Sequence, residues 1–472
     1  MLDFRQLSFP ANNTHAAMTQ TASRETSDAI AAVATGPGRG GIGVVRVSGP
    51  RLDALIQAVV GQIPAPRAAI HTVFRDSDGS DIDDGIVLSF PAPHSYTGEH
   101  VVEFQGHGGP AVLARLLKRC LALGCRIARP GEFTERAFLN GKLDLAQAES
   151  VADLIDASSE QAARSAARTL TGEFSKKVHR LADDLTTLRM HVEACIDFPE
   201  DEIDATDRTS QRGALAALRR GLAQLTSEAQ QGSILRDGLT VALIGRPNVG
   251  KSSLLNRLAA EEIAIVTPVA GTTRDYVRAT IHLQGVPIHL IDTAGLRDTD
   301  DPVEKVGITR TWTAVEQAGA AVLIAEAGEM AGVVEAEILN RLPATMPVAW
   351  VYNKIDLYPR DRVSRETAQT DNHTTLFVSA LTGEGIDRLN QWLLQVAGWQ
   401  PSGEGVFLAR ERHLHALRAA AENFMAAADI DGQYELFAEE LRRAHLALAS
   451  ITGEFTPEDL LGEIFSRFCI GK

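Results

Sequence analysis

Gly245-Arg246-Pro247-Asn248-Val249-Gly250-Lys251-Ser252 stands between the apolar run Leu239-Thr240-Val241-Ala242-Leu243-Ile244 and the stretch Ser253-Leu254-Leu255-Asn256-Arg257-Leu258. The first run is rich in β-branched residues and reads as a buried strand; the last opens a helix. Strand, G-x-x-x-x-G-K-S, helix is the order a phosphate-binding loop requires. The glycines let the backbone curl so that N–H groups face a phosphate, and the helix adds the partial positive charge of its N-terminus. Asn248, Val249, Gly250, Lys251, Ser252 and Ser253 are therefore candidate nucleotide contacts. Lys251 can reach the β- and γ-phosphates, and the Ser252 hydroxyl can ligate magnesium.

Three further elements follow. Asp292-Thr293-Ala294-Gly295 ends the apolar strand Pro287-Ile288-His289-Leu290-Ile291. Asp292 can hold Mg2+ through water, and the Gly295 N–H can meet a γ-phosphate. Asn353-Lys354-Ile355-Asp356 ends the strand Val348-Ala349-Trp350-Val351-Tyr352. The Asp356 carboxylate only accepts hydrogen bonds, so it suits the two adjacent N–H donors of guanine, a pair adenine lacks. Ser379-Ala380-Leu381 follows Thr375-Leu376-Phe377-Val378, and a backbone N–H there can contact the guanine oxygen. The nucleotide is thus GTP rather than ATP. Between the phosphate loop and Asp292, Gly271-Thr272-Thr273-Arg274-Asp275 has the position of a switch segment, with Thr273 placed to complete the magnesium shell. In many GTPases a Gln after the Asp-x-x-Gly element orients the attacking water. Here that residue is Leu296, which cannot polarise water, so another group must do so.

The chain has 472 residues, enough for two to four domains, with 44% apolar and 23% charged residues, ordinary values for a globular protein. No apolar run is long enough to span a membrane, and the polar start lacks the layout of a signal peptide. Four cysteines, Cys120, Cys125, Cys195 and Cys469, have neither zinc-ligand nor C-x-x-C spacing, which fits a reducing cytoplasm. A net charge of −15 counts against nonspecific coating of nucleic acid, although Arg115, Lys118, Arg119 and Arg126 offer one local basic cluster.

Residues 1–28 read as a disordered extension. Residues 29–142 mix strands (42–47, 85–90, 101–104) with a helix from Pro110, an α+β domain carrying Gly-rich turns at 36–41 and 106–110. Residues 143–237 turn helical: Phe174, Val178, Leu181, Leu185, Leu188, Val192 and Cys195 alternate spacings of four and three, the seam of a packed helix. Residues 238–397 alternate strand and helix as a doubly wound sheet does. Residues 398–472 are helical again and end in Cys469-Ile470-Gly471-Lys472. Neither helical half has an evident core of its own, so the two should form one bundle with the nucleotide-binding domain inserted between them.

The chain closely resembles the tRNA modification GTPases of the MnmE (TrmE) family from about residue 25 onward. The residues that carry this, besides the GTPase elements, are Gly38-Arg39-Gly40-Gly41-Ile42-Gly43, Gln105 to Pro110, the block Ala128 to Lys142, Asp153 to Ser159 and the ending Phe468-Cys469-Ile470-Gly471-Lys472. The resemblance implies a multidomain fold: an N-terminal α+β tetrahydrofolate-binding domain, an all-α helical bundle and an inserted Ras-like P-loop GTPase domain. It implies a cytoplasmic homodimer that associates with the flavoprotein MnmG (GidA) as a heterotetramer. That partner brings FAD and NADH. Together they add a carboxymethylaminomethyl or aminomethyl group to C5 of the wobble uridine of certain tRNAs. The one-carbon unit comes from 5,10-methylene-tetrahydrofolate, for which 5-formyl-tetrahydrofolate is an analogue.

The family's folate positions match Arg46, Glu103, Lys142 and Lys472, and its cysteine near the C-terminus matches Cys469. Hydrolysis is implied to need K+, held by Asn248, Thr267, Val269 and Thr272, on dimerisation of the GTPase domains. Glu304 is implied to orient the water through a further water, with Lys251 also acting on the phosphates. Two rival readings are a regulatory or ribosome-assembly GTPase and a folate-dependent enzyme in which GTP is structural. The N-terminal block and the C-terminal tail favour tRNA modification over the first, and the complete switch elements disfavour the second.

Overall fold

The computed structural model describes residues 28–197, 205–261, 277–292, 313, 315–328, 341–359, 367–369, 373–400, 406–454, 458–466 and 468–471. The chain forms two compact units, one of residues 1–152 with 453–472 and one of residues 153–452.

The first unit is built on six strands, β1 (Ile30–Val33), β2 (Gly40–Gly49), β3 (Ile70–Arg75), β4 (Asp81–Phe90), β5 (His100–Gly108) and β6 (Arg126–Ile127). They lie in the order β3-β4-β5-β2-β1-β6, all antiparallel except the β1–β6 edge. Val45 and Val47 on β2 point to one face by the period of two, where they meet Phe74, Val87, Val102 and Phe104. Helix Pro110–Ala122 closes that core with Leu113, Leu116 and Cys120. Burial raises both thiols of this domain, that of Cys125 to about 11, so these cysteines are packed apolar groups rather than nucleophiles. Most of the expected N-terminal extension lies outside the described residues. Asp28 accepts hydrogen bonds from Arg126 at 2.7 Å and Arg136 at 2.9 Å and so belongs to this unit.

The end of the chain belongs to it too. Phe465 and Phe468 pack with Phe138, Leu143, Leu145 and Ala148, so residues 453–472 group with the N-terminal unit, whereas the sequence placed 398–472 in one helical half. Two residues on, Ile470 bridges Pro130 in antiparallel fashion and the Gly131 N–H donates to the Cys469 carbonyl at 3.3 Å. Both glycines are required. Gly131 has φ +68°, and a Cβ there would lie 2.7 Å from the Phe465 carbonyl oxygen; Gly471 has φ +95°, and a Cβ would lie 2.2 Å from that of Val33.

In the second unit the helices Glu173–Asp197, Ala205–Asp237, Glu411–Asp429 and Tyr434–Thr452 pack as one bundle. The buried seam of the first helix is Phe174, Val178, Leu181, Leu185, Leu188 and Val192. Phe174 stacks on Phe407 at 4.6 Å between centroids.

Among the described residues seven strands build the nucleotide-binding domain: β7 (Leu239–Gly245), β8 (Val277–Leu283), β9 (Val286–Asp292), β10 (Ala320–Glu326), β11 (Val348–Asn353), β12 (Ala368–Gln369) and β13 (Thr374–Phe377). Their order is β12-β13-β11-β10-β7-β9-β8, with only the outer pairs β8–β9 and β12–β13 antiparallel. The chain leaves β7 toward β9 on one side and returns as β10 on the other. The strand order therefore reverses at β7, where α/β sheets open a ligand crevice. Helix Ala205–Asp237 runs into β7 through Gly238 at φ +67°, where any Cβ would strike the Pro287 carbonyl. Leu235 of that helix shares one apolar core with Val241, Leu243, Ile288 and Leu393, which couples bundle and sheet.

Candidate functional site

Three loops leave the carboxyl ends of β7, β11 and β13 and are tied to one another by Asn353. The phosphate loop follows β7. Its curl is visible in left-handed φ values of +68° at Asn248 and +98° at Gly250. The Lys251 ammonium folds back over the loop and donates to the carbonyls of Gly245 at 2.5 Å and Arg246 at 3.0 Å. A buried, strongly hydrated cation is thereby held where the phosphates of a nucleotide would displace carbonyls as its partners. Ser252 and Ser253, at the start of helix Lys251–Glu261, are exposed.

Asn353 ends β11 and is only 2% exposed. Its Nδ2 donates to the Val249 carbonyl at 2.9 Å, and its Oδ1 accepts from the Ala380 N–H at 3.0 Å. One carboxamide thus satisfies a buried acceptor of the phosphate loop and a buried donor of the 379–381 loop. The fit leaves no room: a Cβ at Gly250 would sit 2.2 Å from Asn353 Nδ2.

Lys354 follows with a left-handed φ of +65°, which turns the chain so that Asp356 enters a short 3-10 turn. The ammonium of Lys354 meets Glu326 at 2.6 Å, and this hydrogen bond holds the Glu326 carboxyl below its usual range. Asp356 Oδ1 accepts from Ser379 Oγ at 2.5 Å, and that hydroxyl in turn receives the Thr382 N–H at 3.1 Å. The Asp356 carboxylate is therefore held by a fully buried serine.

Of the sequence-predicted contacts, Asn248, Val249, Gly250, Lys251, Ser252, Ser253, Asn353, Lys354, Asp356, Ser379, Ala380 and Leu381 fall on these three loops. Asp292 ends β9 beside β7, pairing in register with Leu243. Thr267, Val269, Thr272, Thr273, Thr293, Ala294, Gly295, Leu296 and Glu304 lie outside the described residues.

A second constellation occupies the N-terminal unit. Arg46 and Glu103 face each other across β2 and β5 and pair at 2.9 Å. The Arg46 guanidinium lies 5.6 Å from the Tyr96 ring centre and 5.8 Å from that of Phe133. Lys142 donates to the Pro93 carbonyl at 3.2 Å and lies along the same 93–98 segment. Cys469 is exposed, in the tail paired with Gly131; Lys472 lies outside the described residues.

Two features escaped sequence reasoning. Glu132, Arg126, Arg136 and Glu99 form an ionic network around the 1%-exposed Arg136, including Arg136–Glu99 at 3.0 Å and Arg136–Glu132 at 3.1 Å. Burial alone would push Glu132 up, but hydrogen bonds from Arg126, the Arg129 N–H and Arg136 outweigh it and hold it at about 2. The expected basic cluster, moreover, is partly neutralised, with Lys118 exposed. Arg115 pairs with Asp76, Arg119 donates to the Ala58 carbonyl, and Arg126 is spent on Asp28 and Glu132.

The helical-domain model of MnmE matches residues 145–469, and that described as GTP-binding protein TrmE N-terminus matches residues 29–142. The tRNA modification GTPase MnmE of Thiobacillus denitrificans is 56% identical over 445 residues, covering 94% of this chain and 98% of that protein. The MnmE of an Azoarcus species is 57% identical over 446 residues, covering 94% and 98%. Among solved structures, Era of Aquifex aeolicus bound to GDP.AlF4- is 26% identical over 40% of this chain and 67% of its own, at a TM-score of 0.27, too low to inform the fold. No helix among the described residues is long and apolar enough to cross a membrane.

Replacing Asn353 by Ala strands the Val249 carbonyl and the Ala380 N–H without their partner. At about 1–3 kcal/mol for each buried unsatisfied group, stability should fall by roughly 2–6 kcal/mol. Guanine-nucleotide affinity should fall at least about tenfold. Calorimetric unfolding and nucleotide titration of the full chain check both, and unchanged affinity would refute the bridging role.

The convergence of these three loops, together with the two family matches and the near-full-length relatives, places this chain in the MnmE (TrmE) family of tRNA modification GTPases, enzymes that hydrolyse GTP.

Proposed function

We propose that the chain binds GTP on the three loops joined by Asn353 and couples its hydrolysis to modification of the wobble uridine of tRNA. The bridging carboxamide carries this reading, since it aligns a phosphate-binding end with a guanine-binding end. Lys251 moves from the loop carbonyls onto the β- and γ-phosphates. Ser252 and Thr273 would hold magnesium, with Asp292 reaching it through water, and Thr293, Ala294 and Gly295 would contact the γ-phosphate. Asp356 accepts both donors of guanine, with Lys354, Ser379, Ala380 and Leu381 framing the base.

Leu296 leaves water activation to other groups. Glu304 would orient the water, and K+, held by Asn248, Thr267, Val269 and Thr272, would supply the positive charge that an arginine supplies in other GTPases. The two GTPase domains of a homodimer complete that arrangement. The donor set fits K+ as neutral oxygens suit a large monovalent cation, and Asn248 is the member whose loop geometry is described.

In the N-terminal unit the Glu103 carboxylate, the Arg46 guanidinium and the Tyr96 and Phe133 rings make a polar edge beside flat apolar faces, which suits a pterin. When bound there, methylene-tetrahydrofolate supplies the one-carbon unit. Lys142 and Lys472 offer ammonium groups to the glutamate end of the folate, and Cys469 a thiol. The flavoprotein MnmG, carrying FAD and NADH, completes a cytoplasmic heterotetramer that adds the carboxymethylaminomethyl or aminomethyl group to C5.

Two measurements separate these parts. GTP turnover should be at least about tenfold faster in potassium than in sodium, as expected if the cation offsets transition-state charge. Equal rates in both salts would refute the potassium role. Deleting residues 469–472 should abolish folate binding and wobble-uridine modification while GTP turnover stays intact, because the tail pairs with Pro130 and Gly131, not with a phosphate loop. Normal folate binding by the truncated protein would place the one-carbon site elsewhere.

A further inference from the structure

We propose that Arg257 is a positioning residue for guanine recognition, aiming the Leu381 N–H at the oxygen on C6 of the base. This rests on the reading that residues 353–356 and 379–381 hold guanine. Arg257 lies in the second turn of helix Lys251–Glu261, the helix that begins at the phosphate loop. Its Nε–H donates to the Ala380 carbonyl at 3.0 Å, and one terminal nitrogen donates to the Leu381 carbonyl. A planar fork thus holds two consecutive carbonyls of a loop 123 and 124 residues away in sequence. Among the described residues no carboxylate pairs with Arg257, so its donors are committed to the loop.

The consequence follows from the planarity of the peptide unit. In a trans peptide the carbonyl of one residue and the N–H of the next point in opposite directions. Holding the Ala380 carbonyl toward Arg257 therefore turns the Leu381 N–H away from the helix. That N–H is the donor the loop has left. The Ser379 N–H bonds the Glu384 carbonyl, the Ala380 N–H bonds Asn353 Oδ1, and the Thr382 N–H bonds Ser379 Oγ. No acceptor among the described residues takes the Leu381 N–H, and Leu381 is 76% exposed. Asn353 and Arg257 grip the loop at successive peptide units, one from β11 and one from the phosphate-loop helix. Asp356 reads the two donors of guanine, and the Leu381 N–H reads its acceptor.

The test compares GDP with 6-thio-GDP, in which sulfur, a poor acceptor, replaces the oxygen on C6. Binding of both is measured by competition with a fluorescent guanine nucleotide, using the full-length wild type, Arg257→Ala and Arg257→Lys. The wild type should prefer GDP by about tenfold, the factor of one good hydrogen bond. In Arg257→Ala, GDP affinity should fall by about tenfold while 6-thio-GDP changes by less than about threefold, so that the preference collapses. Arg257→Lys, able to hold one carbonyl, should recover part of it. If Arg257→Ala weakens both ligands by the same factor, or neither, Arg257 does not aim the loop and the inference is wrong. If the wild type itself binds both equally, the failure lies in the assignment of the 379–381 loop to the base, and the inference falls with it.

Discussion

A single buried carboxamide, that of Asn353, holds the nucleotide site together. The phosphate loop and the base loop come from opposite sides of β10, one after β7 and one after β13, and their backbones have polar groups that no strand can pair. Asn353 sits at the end of β11 with its acceptor toward one loop and its donor toward the other. An apolar residue would leave both groups unpaired, and a carboxylate would repel the Val249 carbonyl. The glycine at position 250 follows from this, because the amide occupies the space a Cβ would need. Arg257 adds a second link between the same loops on the side away from β11.

The bundle and the sheet behave as neighbouring parts of one core. Gly238 lets helix Ala205–Asp237 turn directly into β7, so the strand that presents the phosphate loop is a continuation of a bundle helix. Asp153, 9% exposed at its side chain, binds Arg236 at 3.0 Å and Arg410 at 2.8 Å, which fastens the entry and exit of the inserted domain to one carboxylate. Loss of either arginine would leave Asp153 half-paired in a largely dry place, a costly state that keeps this junction closed.

Much of this was legible in the sequence, for reasons that differ by element. The strand–loop–helix of residues 239–258 announces itself because glycine, lysine and serine are needed at fixed offsets. The seam from Phe174 to Val192 is legible because a buried helix face repeats every three or four residues. The insertion of one domain into another was inferred from two helical halves that each lacked a core, and Phe174 on Phe407 is that inference in contact form. Pairings far apart in sequence were not legible. Arg115, Arg119 and Arg126 read as a basic surface because their partners Asp76, Ala58 and Asp28 are distant along the chain. Glu132 and Arg136 sat unremarked inside a family-like block, although they form the buried ionic centre of the N-terminal unit. The docking of the tail on Pro130 and Gly131 has no local signal, since φ +95° at Gly471 matters only against the Val33 carbonyl.

We propose that Asp356 is the group that selects guanine, held in place by Ser379 and supported through Asn353 and Arg257. Asp356→Asn tests it most directly, because the amide presents a donor where guanine also presents donors, but can pair with the carbonyl of xanthine. Titration of the full-length variant with GTP and XTP should show preference inverted toward XTP, with binding retained. A variant that still prefers GTP would mean that guanine is read elsewhere, and the site built around Asn353 would not be the one that chooses the nucleotide.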